Sequence, residues 1–253
     1  MKIIIAIDSF KGSLSSTEAG EAVREAILQV HPEWETDIIP IADGGEGMLN
    51  VMMSTTEGHI HTLTAHNPCM EQTEAQYGIS ADGQTAFIEM ANISGLPLIS
   101  NSQRNPMKTS TFGTGELIKD ALEKGCRKFV IGIGGSATND AGAGMLQALG
   151  FRFLDKDGNV LKQGGEILGK VVHICTQDVH QSLKNAHFIV ACDVQNPFFG
   201  PEGAAYVYAR QKGADDRMIA DLDEGMRSFA QVVYKEPGKD IANLPGSGAA
   251  GGM

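Results

Sequence analysis

Apolar positions follow one rhythm at the start of this chain and another from about residue 54 onward. Lys2–Ile7 is a short unbroken apolar run, the pattern of a parallel strand covered on both faces. Ala19, Ala22, Val23, Ala26, Ile27 and Val30 then recur at helical spacing behind a Ser15–Glu18 capping box, and Pro32 ends that helix. A second strand is expected over Glu35–Ile41, giving a βαβ start with a right-handed crossover. After Met53 the pattern becomes that of paired strands, His59–Ala65, Glu74–Ile79 and Thr85–Met90, the last two joined by an Asp82-Gly83 turn. That change predicts an α/β protein with a second domain of α+β character beginning near residue 67. Further on, the spacing predicts a helix over Thr114–Gly125, strands over Phe129–Ile133 and His187–Val194, and helices over Ala204–Gln211 and Asp215–Val233.

In parallel sheets, chemistry collects at the carboxyl ends of strands. Asp8 and Lys11 stand at the first such end, and Asp43 and Glu46 stand at the second, inside Asp43-Gly44-Gly45-Glu46-Gly47. Asp193 follows the strand beginning at His187, with Asn196 beside it.

The segment Lys128–Gly150 carries the densest signal. Its apolar run breaks into Gly134-Gly135-Ser136, then Thr138-Asn139-Asp140, then a small-residue stretch closed by Gly150. Strand, glycine turn and helix in that order predict an anion site, because glycines let backbone N–H groups approach an anion and a helix N-terminus adds positive potential. Gly132, Gly134 and Ala137 also fit a dinucleotide fingerprint, with Asp155 at the expected distance, so an NAD-linked oxidoreductase is one reading. Asp140 opposes it, since a carboxylate there would repel a pyrophosphate unless a metal ion or a hydroxyl lay between. A tight structural turn with solvated polar residues is the plainer alternative.

Other patterns carry less. Arg104, in the polar loop Asn101–Ser110, offers a planar fork suited to a carboxylate or phosphate. Gly164–Lys170 has the spacing of a phosphate-binding P-loop, but Val171 stands where a hydroxyl is needed, so the match is rejected. His59, His61 and His66 read as solvated side chains rather than a metal site. Cys69, Cys126, Cys175 and Cys192 are scattered and read as reduced core residues of a cytoplasmic protein. A net charge of −11 argues against nucleic-acid or anionic-membrane partners, and no apolar run approaches the ~18 residues of a membrane span.

Taken in order, Asp8–Ser15, Ala42–Met48, Phe112–Leu117, Gly134–Met145 and Cys192–Ala204 resemble the motifs of bacterial class I glycerate kinases, and the likeness runs along the whole chain. The resemblance implies ATP-dependent phosphorylation of D-glycerate to 2-phosphoglycerate, with Mg²⁺. It also implies a discontinuous Rossmann-like domain with a second α/β domain inserted. Residues 1–66 would open the first domain, 67–240 form the insert, and 241–253 begin the return. Chains of this family continue beyond the segment matching Pro245–Gly252, so a truncated, inactive fragment is a further expectation. Phosphoryl transfer needs positioned phosphates, cations and a proton acceptor. Lys11 is expected to contact phosphate or carboxylate. Asp193 and Asp140 lead for Mg²⁺ or hydroxyl contacts, with Asp8, Asp43 and Glu46 as further acids. Gly134, Gly135, Ser136, Asn139 and Asn196 are expected to bind substrate, and Arg104 to clamp the glycerate carboxylate.

Overall fold

A computed structural model of the chain describes residues 1–10, 13–236 and 238–253. It opens with β1 (Lys2–Ile5), α1 (Ser16–Val30) and β2 (Glu35–Ile38), followed by α2 (Met48–Thr56). Then come β3 (His59–His66), β4 (Gln72–Ile79), β5 (Thr85–Glu89), the single turn α3 (Ala91–Ser94), α4 (Phe112–Glu123) and β6 (Lys128–Gly132). The remaining elements are α5 (Ala143–Ala148), β7 (Arg152–Leu154), β8 (His173–Cys175), β9 (His187–Ala191), α6 (Ala204–Tyr208) and α7 (Asp216–Lys235). The result is an α/β fold with mixed sheets.

The main sheet has the order β3-β4-β5-β6-β9, antiparallel from β3 to β5 and parallel from β5 to β9. Its period-2 alternation sorts the two faces. Tyr77, Ile88, Phe129 and Ile131 pack with Leu117 and Ile118 of α4, and the Tyr77 hydroxyl donates to Asp120 at 2.5 Å. Gly78, the next residue, leaves room on the other face for Met53 and Leu49 of α2, whose atoms lie 2.5 and 3.0 Å from where a Cβ would stand. A second core gathers Phe153, Leu168, Phe198, Met226 and Phe229 around α7. That helix starts where the pattern put it, with Asp215 accepting from the Met218 N–H at 2.8 Å.

β1 and β2 pair in parallel and, among the described residues, with each other alone. Both are shorter than the apolar runs that predicted them, and Ile4 is 60% exposed, not covered on both faces. The α1 stripe is likewise open at Ala22, Val23, Ala26 and Val30, although its Ser15–Glu18 capping box forms. β9, shorter than the expected His187–Val194, is an edge strand bonded among the described residues only to β6, with Phe188, Ile189 and Val190 exposed. The expected division between residues 66 and 67 falls in the connection of the β3–β4 hairpin, whose strands pair along all 8 residues. β7 and β8 form an antiparallel pair that the sequence pattern did not suggest.

Two smaller expectations are also corrected. His61 stacks on Tyr77 with ring centroids 5.6 Å apart, and His66 Nδ1 meets Glu116 Oε1 at 2.9 Å, so neither is simply solvated. The cysteines are all free, but Cys192 is exposed rather than in the core. No helix among the described residues is long and apolar enough to cross a membrane.

Candidate active site

The carboxyl ends of β6 and β9 lie side by side, with Gly132 opposite Ala191 in the ladder. Beyond them the chain continues as Ile133-Gly134-Gly135-Ser136 and Cys192-Asp193-Val194, and both stretches line a cavity of about 380 Å³. Asp43, Tyr208, Gln211, Lys212, Ala249 and Ala250 complete much of its wall.

Asp43 arrives there because two backbones touch without side chains between them. A Cβ on Gly44 would stand 2.6 Å from the Ala191 oxygen, and one on Gly134 would stand 2.7 Å from the Gly45 Cα. Gly134 N–H donates to the Gly44 oxygen at 3.2 Å, and Gly45 N–H donates to Asp43 Oδ1 at 2.9 Å. Gly44 also has φ +85°, a conformation side chains disfavour. From the other side Glu89, 2% exposed at the end of β5, accepts the Gly47 and Leu49 N–H groups at 3.2 and 3.1 Å. Burial pushes the Glu89 carboxyl upward, against the pull of those two N–H groups.

The Gly134–Ser136 turn is held by Ser94 and Leu96, through Ala137 N–H to the Ser94 oxygen and Leu96 N–H to the Gly135 oxygen, both 2.9 Å. Among the described residues, the Gly135 and Ser136 N–H groups have no backbone or side-chain acceptor. These two donors, the Ser136 hydroxyl and the Lys212 amine give the cavity an anion-binding rim. Lys212 is 1% exposed and donates to Ser136 Oγ at 2.9 Å and the Thr138 oxygen at 2.6 Å. Burial pushes its pKa down to about 7, with Asp140 acting the other way.

The helix expected directly after the turn does not begin there. α5 starts at Ala143, behind Gly142 with φ +68°, so the Gly134–Ser136 turn does not run straight into its N-terminus. This removes the dinucleotide fingerprint as a structural unit, since its glycine turn must run straight into a helix. Asp140, 1% exposed, fills the polar space instead and does not line the cavity. Its Oδ2 accepts Thr111 N–H at 2.8 Å, Thr111 Oγ1 at 2.9 Å and Gly144 N–H at 3.2 Å. Burial raises its pKa, and those donors oppose the rise.

The remaining expected residues scatter around this centre. Asn139 is buried with its amide toward Met226 Sδ at 3.2 Å, away from the cavity. Asn196 meets the cavity through Tyr208, whose hydroxyl donates to its Oδ1 at 2.5 Å. Arg104 is absent from the cavity wall; its backbone packs against Gly213, where a Cβ would stand 2.3 Å from the Arg104 oxygen. Glu46 lines a separate polar cleft of about 800 Å³ with Ser9, Ser13 and Glu89, and Asp8 accepts the Ser9 N–H at 2.6 Å. Lys11 lies outside the described residues. The Gly165–Lys170 segment is a short 3-10 turn, with Val171 buried.

Lys212 and Glu89 were missed by the sequence reading. Glu89 interrupts the apolar run Thr85–Met90, and that acid in a strand was a usable signal. Lys212, in an ordinary polar stretch, carried none.

Among described residues no group of three or more His, Cys, Asp or Glu side chains could hold a metal by itself. Magnesium commonly binds through one or two carboxylates plus substrate phosphates, and Asp43 and Asp193 on one wall fit that need.

The sequence pattern of the glycerate kinase family matches residues 3–253. A glycerate 2-kinase of Escherichia coli K12 is 45% identical over 253 residues, and a glycerate kinase of Bacillus subtilis 168 is 46% identical over 253. Each comparison covers all of this chain and 66% of the relative, so the chain spans just under two thirds of their length. The crystal structure of a putative glycerate kinase 2 from Salmonella typhimurium LT2 superposes with a TM-score of 0.90 at 45% identity. That match covers 100% of this chain and 68% of the other. Sequence along its whole length and fold together show that this chain belongs to the glycerate kinase family.

Proposed function

We propose that the chain carries the phosphoryl-transfer site of an ATP-dependent glycerate kinase acting on D-glycerate, with 2-phosphoglycerate as product. The observation that carries this reading is the meeting of Asp43, Asp193, the Gly134–Ser136 rim and Lys212 in one cavity. Anionic substrates need donors, and the rim supplies Gly135 and Ser136 N–H groups and the Lys212 amine. Asp193 is the acid we assign to accept the glycerate hydroxyl proton, and Asp43 and Asp193 would hold Mg²⁺. When bound, Mg²⁺ would neutralise charge building on the phosphoryl oxygens. Asn196 orients Tyr208 at the wall, and Arg104 supports Lys212 from behind. Lys11 keeps its proposed part as a second cation.

The same reading divides the chain into a Rossmann-like unit opening at 1–66, an insert over 67–240 and a return from 241. The separate β1–β2 pair supports a separate opening unit, while full β3–β4 pairing moves the proposed first boundary from residue 66 to before His59. A cytoplasmic site of action and small-molecule partners alone, without nucleic acid, complete the proposal. Incubating the protein with Mg²⁺–ATP and D-glycerate, and following ADP and phosphoglycerate, tests it. Turnover lost on Asp193→Asn is expected. ADP release without phosphoglycerate, or no ligand binding at all, would overturn it.

A further inference from the structure

We propose that Lys212 binds an anionic oxygen of the substrate, phosphoryl or carboxylate, and takes up a proton as that oxygen enters; this rests on the kinase reading. A neutral lysine amine has two hydrogens, an ammonium three. Lys212 Nζ makes two hydrogen bonds, to Ser136 Oγ at 2.9 Å and to the Thr138 oxygen at 2.6 Å. Those satisfy the neutral amine. A third N–H would need another acceptor, and Lys212 forms part of the cavity wall where an incoming oxygen would lie.

The backbone cannot easily carry the amine away. Lys212 ends a 3-10 turn, and Gly213 follows at φ +98°, wedged against the Arg104 oxygen. The groups around the amine set its balance. Asp140, buried behind the Thr138–Asp140 backbone, favours the ammonium; Asp43, Asp193 and the Tyr208 phenol share the cavity. Burial outweighs Asp140 and brings the amine down to about 7, so near neutral pH both forms are populated. An anion at the rim restores the attraction that burial removed, and the proton follows it. Ser136 links this event to the loop, because its hydroxyl is both a rim donor and an acceptor of Lys212.

Calorimetric titration tests this in buffers of differing ionisation enthalpy, at pH 6 and pH 8.5. One arm uses D-glycerate and the other a non-hydrolysable Mg²⁺–ATP analogue. One of the two ligands is expected to bind with net uptake approaching one proton at pH 8.5 and little at pH 6. The arm showing uptake identifies carboxylate or phosphate as the source. Lys212→Arg, permanently charged, should bind the same ligand without proton uptake. Lys212→Met should bind it at least about tenfold more weakly. If neither variant folds by circular dichroism, the proton count on the unaltered chain decides. Binding without proton uptake at pH 8.5 overturns this proposal and leaves the kinase reading intact. Failure of both ligands to bind overturns the kinase reading and this proposal with it.

Discussion

Asp140 Oδ2 lies 2.8 Å from the backbone nitrogen of Thr111 and 2.9 Å from its hydroxyl, joining the start of α4 to the loop before α5. Thr111 Oγ1 in turn accepts the Met145 N–H at 2.9 Å. One carboxylate thus supplies the partner that unbonded N–H groups at both helix starts require. The acid of the glycine-rich motif thus ties two helix starts together, while the Gly134–Ser136 turn lines the cavity.

This arrangement makes Asp140 a test of fold before chemistry. Asp140→Ala should lower unfolding free energy by about 3 kcal/mol, because it strands buried donors. Urea denaturation measures it, and Asp140→Asn, which keeps an acceptor, should cost less. A fully stable Asp140→Asn protein with turnover reduced about 100-fold would return the acid to the reaction.

Gly44 offers a second test. Gly44→Ala places a methyl 2.6 Å from the Ala191 oxygen at φ +85°. The Asp43–Gly47 loop should then lift from β6 and β9 and carry Asp43 off the cavity wall. Ligand affinity should fall by more than about tenfold while the far-ultraviolet spectrum is unchanged, since one kcal/mol or two of strain suffices. Unaltered affinity would mean that Asp43 takes no part in binding.

Lys212 gives stability a pH signature. Its folded pKa of about 7 lies below the unfolded value near 10.5, so the unfolded chain binds more protons between those values. Stability should therefore rise with pH from about 7 toward 10 and fall back on the way down. From pH 7 to 9 the gain is about 2 kcal/mol from this group. Lys212→Met should flatten that slope, as read by urea midpoints at pH 7 and 9. An identical slope in the variant would assign the effect elsewhere.

Amide hydrogen exchange should grade the sheets. β5 and β6 are bonded on both sides and should exchange slowest. Among the described residues β1 and β2 have only each other, and β9 has an unpaired edge with Phe188, Ile189 and Val190 exposed, so both should exchange early. Residues 187–191 should thus resemble β1 and β2 more than β6. Ile189→Lys should also reduce self-association measured by light scattering. Equal protection of β9 and β6 would contradict the edge assignment.

Local rules were enough for much of this protein. The Ser15–Glu18 box, the Asp215 cap with the apolar stripe of α7, the Asp82-Gly83 turn and the β3–β5 strands all depend on neighbours a few residues apart. The glycine-rich motifs were legible for the same reason, and so was the family. What the motifs do depended on contacts far apart in sequence. Whether Asp140 faces a ligand or a helix end was decided by Thr111, 29 residues away. Whether Lys212 is an ordinary surface charge was decided by Ser136, 76 residues away. Whether an apolar run such as Phe188–Val190 is covered was decided by its place at the end of a sheet order. Periodicity records which residues could be buried; burial itself, and the pairing of buried charge that follows from it, exist only once distant segments pack.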